Sequence, residues 1–347
     1  MSVPKLSLLL LLFSLLAGCK EFTDTSLDDI QIPRPSNFPA PIYPLASNPV
    51  TKEGFTLGRL LFYDPIFSKD STIACADCHI SYSAFSHPDH VTSHGIYGQL
   101  GRRNAPALQN MIWQPSYFWD GGVTEMDFIA VNPIENELEM AETPANVIKK
   151  LKRHPKYPAL FKAAFPDRDT IDGVQMLQAF SQFMGMLVSA ESRYDHYVRN
   201  EPGGSMSADE LAGLNVFKAK CASCHSGDLF TDYTYRNNGI LSEFIHDKGR
   251  YEISILPDDI GKFRVPSLRN VEKTAPYMHN GKFPTLESVM KHYNSGVKDS
   301  PTLDPSLRQN GQLGIPLTDE EQRLLIAFLK TLTDETFIRD TRFQKPD

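Results

Sequence analysis

The chain has 347 residues, 41% of them hydrophobic, with 35 Lys and Arg against 42 Asp and Glu and a formal net charge of −7. That length is enough for two domains of ordinary size. The acidic balance argues against nucleic acid or a polybasic membrane surface as partner, and five cysteines are too few for a disulfide scaffold.

In chain order, residues 1–18 read as a lipoprotein signal peptide. Lys5 precedes a mainly apolar run from Leu6 to Leu16, broken only by Ser7 and Ser14 and too short to span a bilayer. Leu16-Ala17-Gly18-Cys19 resembles a lipobox, in which Cys19 is acylated and becomes the mature N-terminus. The alternative is a cleaved signal that leaves Cys19 as a free thiol. Both imply export, and the first implies a lipid anchor at Cys19 and a membrane-anchored, periplasm-facing protein. Residues 19–50, rich in Pro, Ser and Asp between Thr23 and Pro49, read as a tether.

Residues 51–200 form the expected first domain. Phe55, Leu57, Leu60 and Leu61 mark a helix between Thr51 and Tyr63, upstream of Cys75-Ala76-Asp77-Cys78-His79. Gly173 to Ser189 reads as a long apolar helix, and Glu201-Pro202-Gly203-Gly204-Ser205 as the linker. Residues 205–335 form the expected second domain. Its capping box Ser207-Ala208-Asp209-Glu210 starts a helix with Leu211, Leu214 and Phe217 at helical spacing, leading to Cys221-Ala222-Ser223-Cys224-His225. A last helix follows Thr318-Asp319-Glu320-Glu321. Its apolar face of Leu324, Leu325, Phe328, Leu329 and Leu332 should close the second domain against its first helix.

The strings at 75–79 and 221–225 are both C-x-x-C-H, the attachment signature of a c-type haem. Two thiols one turn apart can each bond a vinyl group of one porphyrin, and the adjoining His79 or His225 can give its imidazole to the iron. They account for every cysteine except Cys19. With strand patterns scarce, the expected fold is all-α for the most part: two cytochrome c-like domains with long loops, carrying two covalently bound haem c.

Further strings follow each motif in order. After the first come Arg103-Asn104-Ala105-Pro106, Phe118-Trp119-Asp120-Gly121-Gly122, Pro133-Ile134 and Leu138-Glu139-Met140. After the second come Phe263 to Asn270 and Ala275-Pro276-Tyr277-Met278-His279-Asn280-Gly281. From about Gly54 to Thr333 the chain resembles the bacterial dihaem cytochrome c peroxidase family, which includes the MauG-type enzymes. The resemblance implies peroxide cleavage at the first haem and electron storage or relay at the second. It makes Glu139 the acid/base group on peroxide, places Trp119 between the haems, and makes Asn104, Thr274 and Pro276 ligands of one calcium ion.

Three departures are visible. Ile129 stands where the family often has a pocket glutamine. Ile96 stands where peroxidases needing activation carry a blocking histidine, although His87, His90 and His94 lie nearby. Tyr293 stands where those peroxidases have an axial methionine, as in MauG-type enzymes; Met290 and Met278 are the alternatives for the second iron. The implied function is reduction of hydrogen peroxide with electrons from a donor protein, a small cytochrome or cupredoxin. The alternatives are a MauG-type enzyme that oxidises residues of a protein substrate, and a pure electron-transfer cytochrome.

Overall fold

The computed structural model describes residues 30–88, 90–309 and 311–346. Cys19 and the signal segment lie outside them. Twelve helices carry the described chain: α1 Lys52–Tyr63, α2 Cys75–Cys78, α3 Val131–Glu135, α4 Pro144–Arg153, α5 Tyr157–Ala164, α6 Gly173–Gly185, α7 Arg193–Val198, α8 Ala208–Lys220, α9 Tyr251–Ser254, α10 Leu286–Lys291, α11 Asp319–Lys330 and α12 Glu335–Arg339. Among the described residues strands are confined to two antiparallel pairs of two residues each, β1 Tyr235–Arg236 with β2 Phe263–Arg264, and β3 Arg308–Gln309 with β4 Gln312–Leu313. The fold is mostly α, as expected. The capping boxes at Ser207 and Thr318 form as the sequence predicts, each side chain accepting from the third residue of its helix.

Two hydrophobic cores are built on one plan. In the first, α1 crosses α6; in the second, α8 crosses α11, which is the closure expected there. Both crossings pivot on a glycine. A Cβ on Gly58 would overlap the Ala179 carbonyl, and one on Gly213 would overlap that of Leu324. One turn further on, Phe62 meets Phe183 with ring centroids 5.1 Å apart at 49°, and Phe217 meets Phe328 at 5.1 Å and 48°. A third ring completes each cluster, Phe85 in the first and Phe230 in the second. After the pivot helices an asparagine in the left-handed region pins the chain in each half. The Asn110 N–H donates to the Leu187 carbonyl at 2.8 Å, and the Asn270 N–H to that of Leu332 at 3.0 Å.

The halves then exchange their last helices. Tyr194 on α7 follows the first core but packs in the second, against Phe230 at 5.0 Å. Phe337 and Ile338 on α12 follow the second core but pack in the first, with Phe343 beyond them. At this crossing lies a fully buried ion pair, Arg269 to Asp195 at 2.6 Å.

Two expectations are corrected. Residues 30–50 are not a loose tether: Ile30, Ile32, Phe38, Tyr43, Leu45 and Val50 pack on the first core. The Trp113 indole N–H donates to the Pro39 carbonyl at 2.8 Å, and the Tyr43 hydroxyl to Asp127 at 2.7 Å. Proline content hid apolar residues spaced for an extended strap. The helix expected to reach Ser189 ends at Gly185, because Asn110 captures the backbone of Leu187 and Ser189 instead.

Candidate functional site

The second C-x-x-C-H string continues the last turn of α8, with the His225 N–H donating to the Cys221 carbonyl at 3.0 Å. It opens into a cavity of about 620 Å³ lined by Cys221, Cys224, His225, Val265, Pro266, Met278, Met290 and Tyr293. His225 Nδ1 sits 3.1 Å from the Phe230 carbonyl, which orients the ring and leaves Nε2 as the nitrogen for a metal. The first string repeats this clamp: His79 Nδ1 is 2.7 Å from the Phe85 carbonyl, and the His79 N–H donates to Cys75 at 3.0 Å. The four motif cysteines form no disulfide with one another. Burial pushes the Cys75, Cys78 and Cys221 side chains up from the usual thiol range. An apolar cavity with paired thiols at its wall and a carbonyl-held imidazole is what a covalent haem requires, and these residues fit one.

Tyr293 begins one residue into a π-turn, His292–Gly296, that follows α10 directly. The turn shifts residues off the regular helical face, and Tyr293 and Met290 both line the cavity. Burial pushes the Tyr293 phenol up to about 12. Met278, also on the wall, accepts from the Asn238 amide at 3.1 Å through its sulfur.

Around the first string, Glu139 is held by the Asn136 amide at 3.1 Å, and its carboxyl is raised by burial, against which that hydrogen bond acts. Its charge reaches both Cys75 and Cys78. The Ile96 N–H donates to the Glu139 carbonyl at 2.9 Å, and Gly95 packs directly on the Leu138–Glu139 backbone. The His87 and His90 rings stack at 4.2 Å, with the His94 ring tilted against them at 5.0 and 4.9 Å, and the ligand atoms of Cys78, His87 and His94 lie within 4.8 Å of one another. Ile129 is buried in the first core.

Between the two strings the halves exchange matching turns. Tyr117-Phe118-Trp119-Asp120-Gly121 is bridged by Tyr117 to Val123, and Tyr277-Met278-His279-Asn280-Gly281 by Tyr277 to Phe283. Phe118 and Met278 are both left-handed, at φ 64° and 76°. Trp119 and His279 hold the same place in the two turns, and they meet edge to face at 6.5 Å. The contacts are reciprocal. The Arg264 N–H donates to the Trp119 carbonyl at 2.7 Å, and the Asn104 N–H to the His279 carbonyl at 2.7 Å. The Trp119 indole N–H closes the knot on the Asn104 carbonyl at 2.9 Å. Sequence reasoning missed His279 and Arg264 as site residues. The signal was there in the parallel strings YFWDGG and YMHNGK, which align only when compared with each other.

Asn104, Thr274 and Pro276 line this same cavity. The Asn104 amide donates to the His90 and Val91 carbonyls at 3.2 Å each.

A family model described as di-haem cytochrome c peroxidase matches residues 52–203. The methylamine utilization protein MauG of Methylorubrum extorquens is 32% identical over 306 residues, covering 87% of this chain and 83% of that protein. A cytochrome c551 peroxidase of Nitrosomonas europaea is 32% identical over 301 residues, 85% of this chain and 84% of its own. A solved MauG-like protein associated with microbial copper homeostasis superposes with a TM-score of 0.82 at 32% identity, covering 92% of this chain and 99% of its own.

Proposed function

The chain belongs to the dihaem cytochrome c peroxidase family, and from that premise we propose how its residues divide the work of a peroxidase that carries two c-type haems. Cys75, Cys78 and His79 hold the first haem, and Cys221, Cys224 and His225 the second. When bound, the haems supply irons that take peroxide and store electrons. Glu139 receives a proton from one peroxide oxygen and returns it to the other, which leaves as water. The observation that carries this reading is the half-buried place of Glu139 beside the first motif, fixed by the Ile96 N–H on its carbonyl and the Asn136 amide on its carboxyl, with its carboxyl raised by burial. Trp119, fixed at indole and backbone, stands between the two sites. Hydrogen peroxide is the oxidant, and a small cytochrome or cupredoxin supplies electrons.

Tyr293 is the proposed second ligand of the second iron, and membership of the MauG-like subgroup is proposed with it. Its support is the π-turn that carries the phenol on the wall opened by His225. A phenolate favours ferric iron where a thioether favours ferrous. This also favours the second reading, oxidation of a partner protein's residues. Optical and EPR spectra of the ferric holoenzyme test it. One high-spin haem, one oxygen-ligated haem and reaction with peroxide before any reduction are expected. A methionine-ligated signature with no peroxide reaction until reduction returns the chain to the reductively activated peroxidases.

A calcium ion at Asn104, Thr274 and Pro276 is proposed on their shared wall and their oxygen-rich set. Attachment at the envelope through acylated Cys19 rests on the lipobox string alone. Among the described residues no helix is long and apolar enough to cross a membrane.

A further inference from the structure

Lys220, Arg236, Arg264 and Arg269 all line the cavity that carries Cys221, Cys224 and His225. Three of them face carboxylates. Lys220 pairs with Glu321 at 2.7 Å, Arg236 with Asp232 and Asp304 at 2.7 and 2.9 Å, and Arg269 with Asp195 at 2.6 Å. Arg264 is the exception among the described residues. Its Nε donates to the Phe118 carbonyl at 3.2 Å, and the charges around it are the phenols of Tyr117, Tyr233 and Tyr235. Phenols are neutral at ordinary pH and compensate nothing. Yet Arg264 is only 9% exposed. A buried guanidinium without a counter-charge is costly, and it cannot escape by losing its proton. The arrangement is complete only with an anion in the cavity.

The anion has a natural source, given the dihaem reading on which this inference rests. Haem c brings two propionate carboxylates, and a guanidinium fork matches a carboxylate in two parallel hydrogen bonds. Arg264 shares this cavity with Cys221, Cys224 and His225, which points to the second haem as the source of the carboxylate. We propose that Arg264 anchors a propionate of the haem attached at Cys221 and Cys224, and that its backbone, bonded to Trp119, ties that haem to the turn between the two sites. The arginine also sets a positive charge beside the porphyrin, which favours the electron-rich, ferrous state of that haem over the ferric one.

The test uses the matured holoenzyme with two haems per chain established by pyridine haemochrome. Spectroelectrochemical titration follows each haem, and the second is assigned as the one perturbed by His225→Met. In Arg264→Gln the second haem alone should move toward ferric, by tenfold or more in its ferric-to-ferrous ratio at fixed potential. Arg264→Lys, which keeps the charge but loses the fork, should move the same haem by a smaller factor. No shift, an equal shift in both haems, or a shift in the first alone overturns the proposal and makes the anion an exogenous one. If Arg264→Gln fails to mature, Arg264→Lys carries the test, and wild-type behaviour there overturns it. Failure of the dihaem reading would appear separately, as a wild-type haem count other than two.

Discussion

Glu139 and Glu142 stand three residues apart and meet opposite fates. Burial raises the carboxyl of Glu139, with only the Asn136 amide against it. Burial also acts to raise Glu142, but Lys150 at 2.7 Å and the Thr143 N–H hold it below its ordinary value. Glu135 and Glu137 are exposed. Four acidic residues in one stretch look alike as letters, and only the resemblance singles out Glu139; the pairing of Glu142 with Lys150 then supplies the physical difference. Glu139→Gln keeps the shape and removes the exchangeable proton, so peroxide turnover should fall by about 10²–10⁴ with haem content unchanged. Steady-state assays at matched haem concentration check this, and near-wild-type turnover would return Glu139 to a structural role. Tyr293→Phe should alter the ferric spectrum of one haem only. An unchanged spectrum would mean that Met290 or Met278, both on the same wall, is the ligand.

At the scale of elements, the helix crossings decide most of the architecture. The sequence shows α8 and α11 plainly, through their capping boxes and apolar faces, and shows that they should pack. It does not show the pivot, because a glycine inside a helix looks like a weakness. Gly213→Ala improves helix propensity by about 1 kcal/mol, but its methyl would strike the Leu324 carbonyl, which is backbone and cannot turn aside. The overlap should dominate, with a net loss of about 1–3 kcal/mol, read by denaturant unfolding of the holoprotein. A neutral or stabilising Gly213→Ala would mean the crossing relaxes at little cost. The crossed turns of Trp119 and His279 escape notice for another reason. Their likeness shows only when residues 117–122 and 277–282 are set side by side, because an indole in one stands where an imidazole stands in the other.

For the molecule as a whole, the Asp195–Arg269 pair joins α7 to the segment after the second motif. Burial pushes Asp195 up, but Arg269, Ser192 and Asn37 outweigh it and hold the carboxyl below its usual range. The unfolded chain therefore binds this proton more readily. The pair's contribution is present above the ordinary carboxylate range and is lost as pH falls through that range toward the depressed folded value. Arg269→Met strands the carboxylate and should cost about 3–5 kcal/mol at neutral pH, with less loss at pH values low enough to protonate Asp195. Thermal unfolding across pH separates this from simple repacking, which would cost the same throughout. Domain limits were only half legible. The expected second domain ends at 335, yet Phe337, Ile338 and Phe343 belong to the first core. Apolar residues in a short helix give no hint of which core they fill.

That return of the chain end has a consequence for biogenesis. A polypeptide emerges N-terminus first, so Cys75 and Cys78 become available long before the residues that finish the core around them. Until Phe337 and Phe343 arrive, the aromatic cluster of Phe55 and Phe85 lacks its last rings. The core beside Cys75 and Cys78, where the first haem is proposed to attach, therefore cannot reach its final packing until the last helix has emerged.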